Sequence, residues 1–145
     1  MSTEGSSSDT RVDFRETIRN DRASIDRVLD VCMEALERCG HDETGVFAIR
    51  LAMEEALANA MNHGNGGDAS KAIQVEFEVT PTSFRAAIED EGTGYDPSTV
   101  PDPTAEENLT IASGRGLALM KAFMTGVTVV APGNRVELSY SQQQG

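Results

Sequence analysis

Residues 54–79 read EEALANAMNHGNGGDASKAIQVEFEV, and within this stretch the spacing of apolar side chains changes from helical to extended. Up to about His63 the apolar residues recur every three or four positions, which predicts an amphipathic helix that begins near Glu43. The run NHGNGG ends that helix, because Asn and Gly tolerate positive φ. From Ala72 to Val79 apolar and polar residues alternate, which predicts a strand. The apolar stripe of the helix consists of Val46, Ile49, Met53, Leu57 and Ala60.

Two further elements precede this stretch. Alternation between Arg11 and Ile18 predicts a strand. Apolar residues at helical spacing predict a helix from about Arg22, with Gly40 as its stop. Residues 1–10 are rich in Ser, Thr, Gly and acidic side chains, which predicts a disordered tail.

The remainder of the chain predicts two hairpins and a short helix. A strand from Phe84 to Ile88 pairs with the strand before it, and a loop rich in Gly, Pro and Asp follows. A short helix over Gly116–Met124 leads into strands over Val127–Val130 and Val136–Tyr140. Hairpins outnumber crossovers, so the pattern predicts an α+β two-layer sandwich, with a mostly antiparallel mixed sheet and helices on one face. We expect a single domain over residues 11–145.

Composition narrows the possible functions. The 145 residues carry a formal net charge of −12 at pH 7, which weighs against binding to nucleic acid or to an anionic membrane surface. Apolar runs fall short of the roughly 20 residues that span a bilayer. The polar start, MSTEGSSSDT, lacks a secretory signal, so we expect a cytoplasmic protein. We interpret Cys32 and Cys39 as reduced core residues, because two cysteines make neither a disulfide framework nor a zinc cluster.

The first motif whose side chains could take part in binding or catalysis is the pair Glu55 and Asn59. These residues are four apart, so they share one face of the predicted helix, nearly opposite its apolar stripe. A carboxylate and an amide oxygen suit a hard cation such as Mg²⁺ and a positioned general base. The plain alternative is a solvated polar helix face.

The second motif, DEGTG at residues 90–94, comes directly after a predicted strand. Gly92 and Gly94 let the backbone turn sharply and approach a ligand. A buried Asp90 at the strand end would accept a hydrogen bond from an amino group, such as the exocyclic amine of adenine. An ordinary Gly/Asp turn is the alternative. The EF-hand spacing is absent, because Gly92 stands where that pattern needs a ligand.

The third motif, Gly114-Arg115-Gly116, predicts a glycine loop that opens a helix. Free N–H groups at a helix N-terminus bind phosphate, and Arg115 would add a charge-assisted contact. The dinucleotide fingerprint does not fit, because its third glycine position is Leu119, and the chain contains no P-loop sequence. The alternative is a glycine hinge before a packing helix.

In this order, the three motifs resemble the N, G1 and G2 boxes of the GHKL ATPase superfamily, which includes gyrase and the histidine kinases. The resemblance covers about residues 43–125. The short loop between the second and third motifs and the segment GRGLALMKAFM at residues 114–124 make the chain most similar to the anti-sigma-factor serine/threonine kinase family of the RsbW type. That likeness extends over nearly all of the chain past residue 10.

The resemblance implies an ATP site that uses Mg²⁺. Glu55 would be the general base for a serine hydroxyl, and Asn59 would coordinate the metal. Asp90 would bind the adenine amine. His63 would cap the helix or line the pocket rather than accept a phosphoryl group. The residues that the resemblance places around the nucleotide are Asn59, Asn62, His63, Asp90, Gly92, Gly94, Gly114, Arg115, Gly116 and Leu117.

The resemblance also implies partners. These are a sigma factor, a small antagonist protein that is phosphorylated on serine, and a second copy of the chain in a homodimer. Two other functions remain open. One is a non-catalytic, ATP-gated protein-binding switch of the same fold, and the other is a free-standing ATPase module of the gyrase type.

Overall fold

The computed structural model describes residues 10–92, 114–130 and 133–141. Its elements are β1 (Val12–Arg19), α1 (Arg22–Arg38), α2 (Glu43–Asn59), a π-helical turn (Ala60–Gly64), β2 (Ala72–Val79), β3 (Ser83–Glu89), α3 (Gly114–Phe123), β4 (Gly126–Val130) and β5 (Arg135–Ser141). The predicted order of helices and strands is confirmed. The tail before Thr10 and the loop over 93–113 lie outside the described residues.

The strands form one sheet in the order β1-β2-β3-β5-β4. All four pairings between these strands are antiparallel, with no parallel pair among them. The helices pack on one face of this sheet. The predicted α+β two-layer architecture is therefore confirmed.

Alternate residues of each strand build the core beneath the helices. The rings of Phe14 and Phe77, paired across β1 and β2, stack with centroids 4.7 Å apart. In the same core, Leu36, Ile49 and Met53 of the helices are fully buried. Burial of this apolar surface is the main favourable contribution to folding.

The two cysteines belong to this core, as predicted. Cys32 and Cys39 are buried, free thiols. Burial raises the pKa of Cys32 to about 12, because the thiolate is poorly solvated there. The thiol therefore stays protonated at neutral pH and is a poor nucleophile.

The opposite face of the sheet is charged. Arg135 of β5 lies 3.0 Å from Glu76, 3.1 Å from Glu89 and 3.0 Å from Glu137. The hydrogen bond from Arg135 holds the pKa of Glu76 below its ordinary value. Because the charges on this face pair with one another across strands, the sheet presents a polar surface on the side that no described helix covers.

Local capping defines the helix ends. Asp21 accepts a hydrogen bond from Ser24 N at 2.8 Å at the start of α1, and Asp42 accepts one from Gly45 N at 2.8 Å at the start of α2. Gly40, at φ +86°, follows α1 as the predicted stop.

The predicted orientation of α2 is wrong in one respect. The buried face of α2 is wider than the stripe of large apolar residues and includes Ala48, Ala52 and Ala56, whereas Val46 is only partly buried. Helix α2 contacts α1, α3 and β5, so more than one side of it is covered. The Glu55–Asn59 pair therefore lies at the margin of the buried face rather than opposite it, with Asn59 itself buried.

The predicted start of α3 is also corrected. The helix begins at Gly114, two residues earlier than the predicted Gly116, so both glycines belong to its first turn rather than to a preceding loop. The first turn of a helix leaves its N–H groups without intrahelical partners, which keeps them available for other contacts.

Candidate functional site

A π-helical turn ends the first motif. Regular α-helical structure stops at Asn59, and Asn65 N donates to the carbonyl of Ala60 at 2.8 Å, five residues back. Such turns are rare and are found frequently at functional sites. Asn62 and His63 lie in this turn with exposed side chains. Sequence periodicity predicted a continuous helix to His63, and the π-helical turn corrects that prediction.

Asn59 is the polar residue of α2 whose burial calls for an explanation. It is 7% exposed, and its side-chain Nδ2 is buried with no hydrogen-bond partner among the residues that the structure describes. An unsatisfied buried donor costs about 1–3 kcal/mol, so native structures rarely keep one without a role. Glu55, one helical turn earlier, is half-buried. A ligand with an acceptor oxygen at this end of α2 would give the Nδ2 donor of Asn59 the partner that the described residues do not provide.

The second motif lies directly against the end of this helix. A Cβ atom added to Gly92 would overlap the carbonyl oxygen of Gly64 and would lie 2.8 Å from Asp90 Oδ1. Only glycine permits this approach of the two backbones. The contact between Gly64 and Gly92 brings the first and second motifs together, as the family resemblance requires.

Asp90 is held firmly at the end of β3. It is 3% exposed, and its Oδ1 accepts a hydrogen bond from Gly92 N at 2.7 Å. Asn134, in the turn between β4 and β5, binds both backbone groups of Asp90: Asp90 N donates to Asn134 O at 2.9 Å, and Asn134 Nδ2 donates to Asp90 O at 3.0 Å. The buried position predicted for Asp90 is confirmed.

The third motif opens α3, which packs beside α2. The rings of Phe47 in α2 and Phe123 in α3 meet edge to face with centroids 6.1 Å apart. Gly114 and Gly116 lie in the first turn of α3. The described residues do not include Gly94, nor the side chains of Arg115 and Leu117, so their predicted contacts to a nucleotide remain predictions.

A concavity lies on the charged face of the sheet, away from the three motifs. It encloses about 570 Å³ and has Ala87 and Gly126 among its lining residues. The arginines around it include Arg11, Arg15 and Arg135, each of which already pairs with acidic neighbours. Because these three arginines are already paired within the sheet, the Asn59 amide, whose Nδ2 lacks a partner among the described residues, is the stronger indication of a ligand site.

Sequence reasoning missed two residues that build the site. Asn65 was interpreted only as part of a helix stop and Asn134 only as part of a hairpin turn, yet both bind the backbone of the second motif. A signal for Asn65 was present, since an asparagine between glycines suits a turn in which its amide bonds nearby backbone. The bond between Asn65 and the N–H of Glu91, 26 residues later, could not be predicted from that pattern.

Residues 18–140 match the family model described as Histidine kinase-like ATPase domain. The chain belongs to this family. The resemblance to the GHKL superfamily is thereby confirmed, and with it membership of a nucleotide-binding ATPase family.

Two curated relatives of this ATPase domain are named Anti-sigma F factor. The one from Clostridium perfringens SM101 is 30% identical over 90 residues, which cover 60% of this chain and 64% of the relative. The one from strain 13 is 31% identical over 84 residues, which cover 56% of this chain and 59% of the relative. The chain thus matches about three-fifths of the length of these relatives. Their names agree with the resemblance to the anti-sigma branch.

A solved structure confirms the fold of the ATPase domain. The crystal structure of the RsbU and RsbW domains of a Mycobacterium tuberculosis protein matches with a TM-score of 0.62 at 18% identity. The match covers 91% of this chain and 32% of that one.

Within residues 10–92, 114–130 and 133–141, no helix is both long and apolar enough to span a membrane.

Proposed function

We propose that this domain is an ATP-dependent serine protein kinase and anti-sigma factor. It would bind Mg-ATP and phosphorylate a serine of a small antagonist protein, which would control the availability of a sigma factor. The observation that carries the proposal is the buried amide of Asn59, whose Nδ2 has no partner among the described residues, on a helix whose π-helical end touches the Asp90 turn through Gly64 and Gly92.

Asp90 forms the adenine end of the proposed site. Its buried carboxylate would accept a hydrogen bond from the exocyclic amine, and the backbone bonds from Asn134 would keep it in place. Gly92 allows the turn to lie against α2, which would keep the adenine and phosphate ends at a fixed separation. Asn62 and His63 are exposed at the same helix end, where they would line the pocket.

Gly92→Ala tests this arrangement. The new methyl group would overlap the Gly64 carbonyl, so we expect the free energy of unfolding to fall by about 1–3 kcal/mol. ATP affinity should fall as well, because the turn that carries Asp90 must move. Denaturant unfolding and calorimetric titration measure the two effects.

Gly40→Ala is the matched glycine control. Gly40 has φ +86° and nothing within 4 Å of an added Cβ, and it lies between α1 and α2. Alanine there also loses stability, through backbone strain of about 1–2 kcal/mol. We expect it to keep the ATP affinity of the parent chain. Full ATP affinity in Gly92→Ala would contradict the role of the Gly64–Gly92 contact.

The phosphate end is assigned to the other two motifs. Asn59 would hold Mg²⁺ through its amide oxygen, a suitable ligand for this cation, and its buried Nδ2 would donate to a phosphate oxygen. The metal would supply charge neutralisation on the phosphates. Gly114, Arg115, Gly116 and Leu117 would surround the β- and γ-phosphates, with backbone N–H groups of the first turn of α3 as donors.

Glu55 is the proposed general base. Its half-buried carboxylate, one turn before Asn59, would accept the proton of the substrate serine. The serine oxygen would form a bond to the γ-phosphorus while the bond from that phosphorus to the bridging oxygen breaks, which leaves ADP. Positioning and charge stabilisation provide most of the catalysis in such transfers.

The proposed partners follow from the relatives that are named Anti-sigma F factor. A sigma factor and an antagonist protein would compete for the kinase, which would act as a homodimer in the cytoplasm. The net charge of −12 agrees with a protein partner rather than nucleic acid.

The decisive experiment combines calorimetric titration with Mg-ATP and transfer of labelled γ-phosphate to candidate antagonist proteins from the same genome. We expect ATP binding and labelling of a single serine. ATP binding without transfer to any candidate would instead favour a non-catalytic switch. ATP hydrolysis without a protein acceptor would favour an ATPase module, and absence of ATP binding would contradict the proposal.

A further inference from the structure

Asn65 is a buried amide outside the three motifs, and it links the end of the first motif to the second. It is 2% exposed and follows the π-helical turn. Its Nδ2 donates to Asn20 Oδ1 at 3.0 Å and to the carbonyl of Ala72 at 2.9 Å. Its Oδ1 accepts from Glu91 N at 2.8 Å. Both side-chain donors and the acceptor are therefore used, each by a different segment of the chain.

Two of these contacts and a third, between Ala72 and Glu91, close a ring beside the second motif. Asn65 donates to the carbonyl of Ala72, Ala72 N donates to Glu91 Oε2 at 2.8 Å, and Glu91 N donates back to Asn65 Oδ1. Ala72 begins β2 and Glu91 directly follows Asp90. The ring thus joins the end of the first motif, the start of a central strand and the peptide after Asp90.

The ring adds a second support to the peptide that follows Asp90. Asn134 binds the N–H and the carbonyl of Asp90, and Asn65 binds the N–H of the next residue, Glu91. The peptide between Asp90 and Glu91 is therefore held at both its carbonyl and its N–H, and the backbone of Asp90 has little freedom to turn. A carboxylate that accepts a hydrogen bond from one amino group of a ligand must be held in a fixed orientation, and hydrogen bonds to the neighbouring backbone provide this restraint.

We propose that Asn65 is a positioning residue for adenine recognition, which fixes the Glu91 peptide and thereby aims the carboxylate of Asp90. This inference rests on the proposed ATP site. Asn65 itself would not contact the nucleotide.

Asn20 provides a matched control for the stability that Asn65 contributes. Asn20 is 5% exposed and accepts the bond from Asn65 Nδ2. It donates to the carbonyls of Asp68 at 3.0 Å and Met61 at 3.4 Å. Within the described residues it forms no hydrogen bond to Asp90 or Glu91. Alanine at position 20 therefore removes buried hydrogen bonds from the same network but leaves the Asn65–Glu91 bond in place.

The test compares two nucleotides on the full chain. ATP carries the 6-amino group, and purine riboside triphosphate has hydrogen in its place. We expect the parent chain to prefer ATP by about 10-fold or more, the value of one hydrogen bond to a charged group. Asn65→Ala should reduce this preference to near unity at a temperature where circular dichroism shows it folded. Asn20→Ala should keep the parent preference despite a similar loss of thermal stability.

Each outcome has a distinct meaning. A full preference for ATP in Asn65→Ala, or an equal loss of preference in Asn20→Ala, would overturn the positioning role. A parent chain that does not distinguish the two nucleotides would instead contradict the adenine assignment of Asp90. If Asn65→Ala does not fold, amide hydrogen exchange in the parent chain decides the question. The Glu91 amide should exchange slowly, and rapid exchange there would overturn the inference.

Discussion

Glu55→Ala should reduce phosphoryl transfer by about 10²–10⁴-fold, the usual contribution of a positioned general base. ATP affinity should change little, because the carboxylate acts on the serine hydroxyl rather than on the nucleotide. Glu55 is half-buried on α2, one turn before Asn59. Single-turnover transfer of labelled phosphate and calorimetric titration with Mg-ATP measure the two quantities separately.

Glu54 offers a control on the adjacent position of the same helix. Its carboxylate lies 3.1 Å from Arg22 and 3.6 Å from Arg50, so it already belongs to surface ion pairs. Glu54→Ala should lose about 0.2–1 kcal/mol of stability and keep full transfer activity. Equal loss of transfer in the Glu54 and Glu55 variants would show that the helix, and not the Glu55 carboxylate, is responsible.

Asp90→Asn should weaken ATP binding by about 10–100-fold, because the hydrogen bond to the adenine amine loses its charged acceptor. The fold should tolerate the change, since an amide oxygen at position 90 can still accept the bond that Gly92 N donates at 2.7 Å. The affinity loss should therefore appear without a large change in melting temperature. Titration calorimetry and thermal unfolding measure the two effects.

Asp68→Asn is the corresponding control. Asp68 Oδ1 accepts from Ser70 N at 2.9 Å in an exposed turn, so the local geometry is comparable but no nucleotide contact is expected. This variant should bind ATP as the parent chain does. Equal ATP affinity in the parent chain and Asp90→Asn would contradict the assignment of Asp90 to adenine.

The two variants together separate the candidate functions. A kinase requires both residues, with transfer lost through Glu55 and binding lost through Asp90. A non-catalytic switch requires Asp90 alone, so Glu55→Ala would keep every measurable property of the parent chain. The match over residues 18–140 establishes the ATPase family, and these variants test how a chain of this family would use a bound nucleotide. ATP hydrolysis without a protein acceptor would mark the third candidate, the ATPase module.

Helices and strands were predictable because their signals are local. The alternation in Ala72–Val79 and the helical spacing around Leu36 each reflect one buried face. The spacing of apolar residues a few positions apart in the sequence is enough to identify that face. The glycine stop after α1 was predictable for the same reason, since positive φ at Gly40 is a property of one residue.

The details at the end of α2 were less predictable. Periodicity cannot distinguish a regular last turn from the π-helical turn at Ala60–Gly64, because both keep the chain helical. The burial of Ala52 and Ala56 was missed because small residues add little to an apolar stripe, although the helix that carries them contacts α1, α3 and β5. Burial of Asn59 follows from the same packing.

The sequence by itself determined the order of elements, the sheet type and the three motifs, because each depends on residues a few positions apart. Tertiary structure decided how the motifs meet. The Gly64–Gly92 contact joins residues 28 positions apart, and the bond between Asn134 and Asp90 spans 44 positions. Such contacts depend on the packing of whole helices and strands. A close approach of two backbones or a buried amide produces no repeating pattern in the sequence from which it could be predicted.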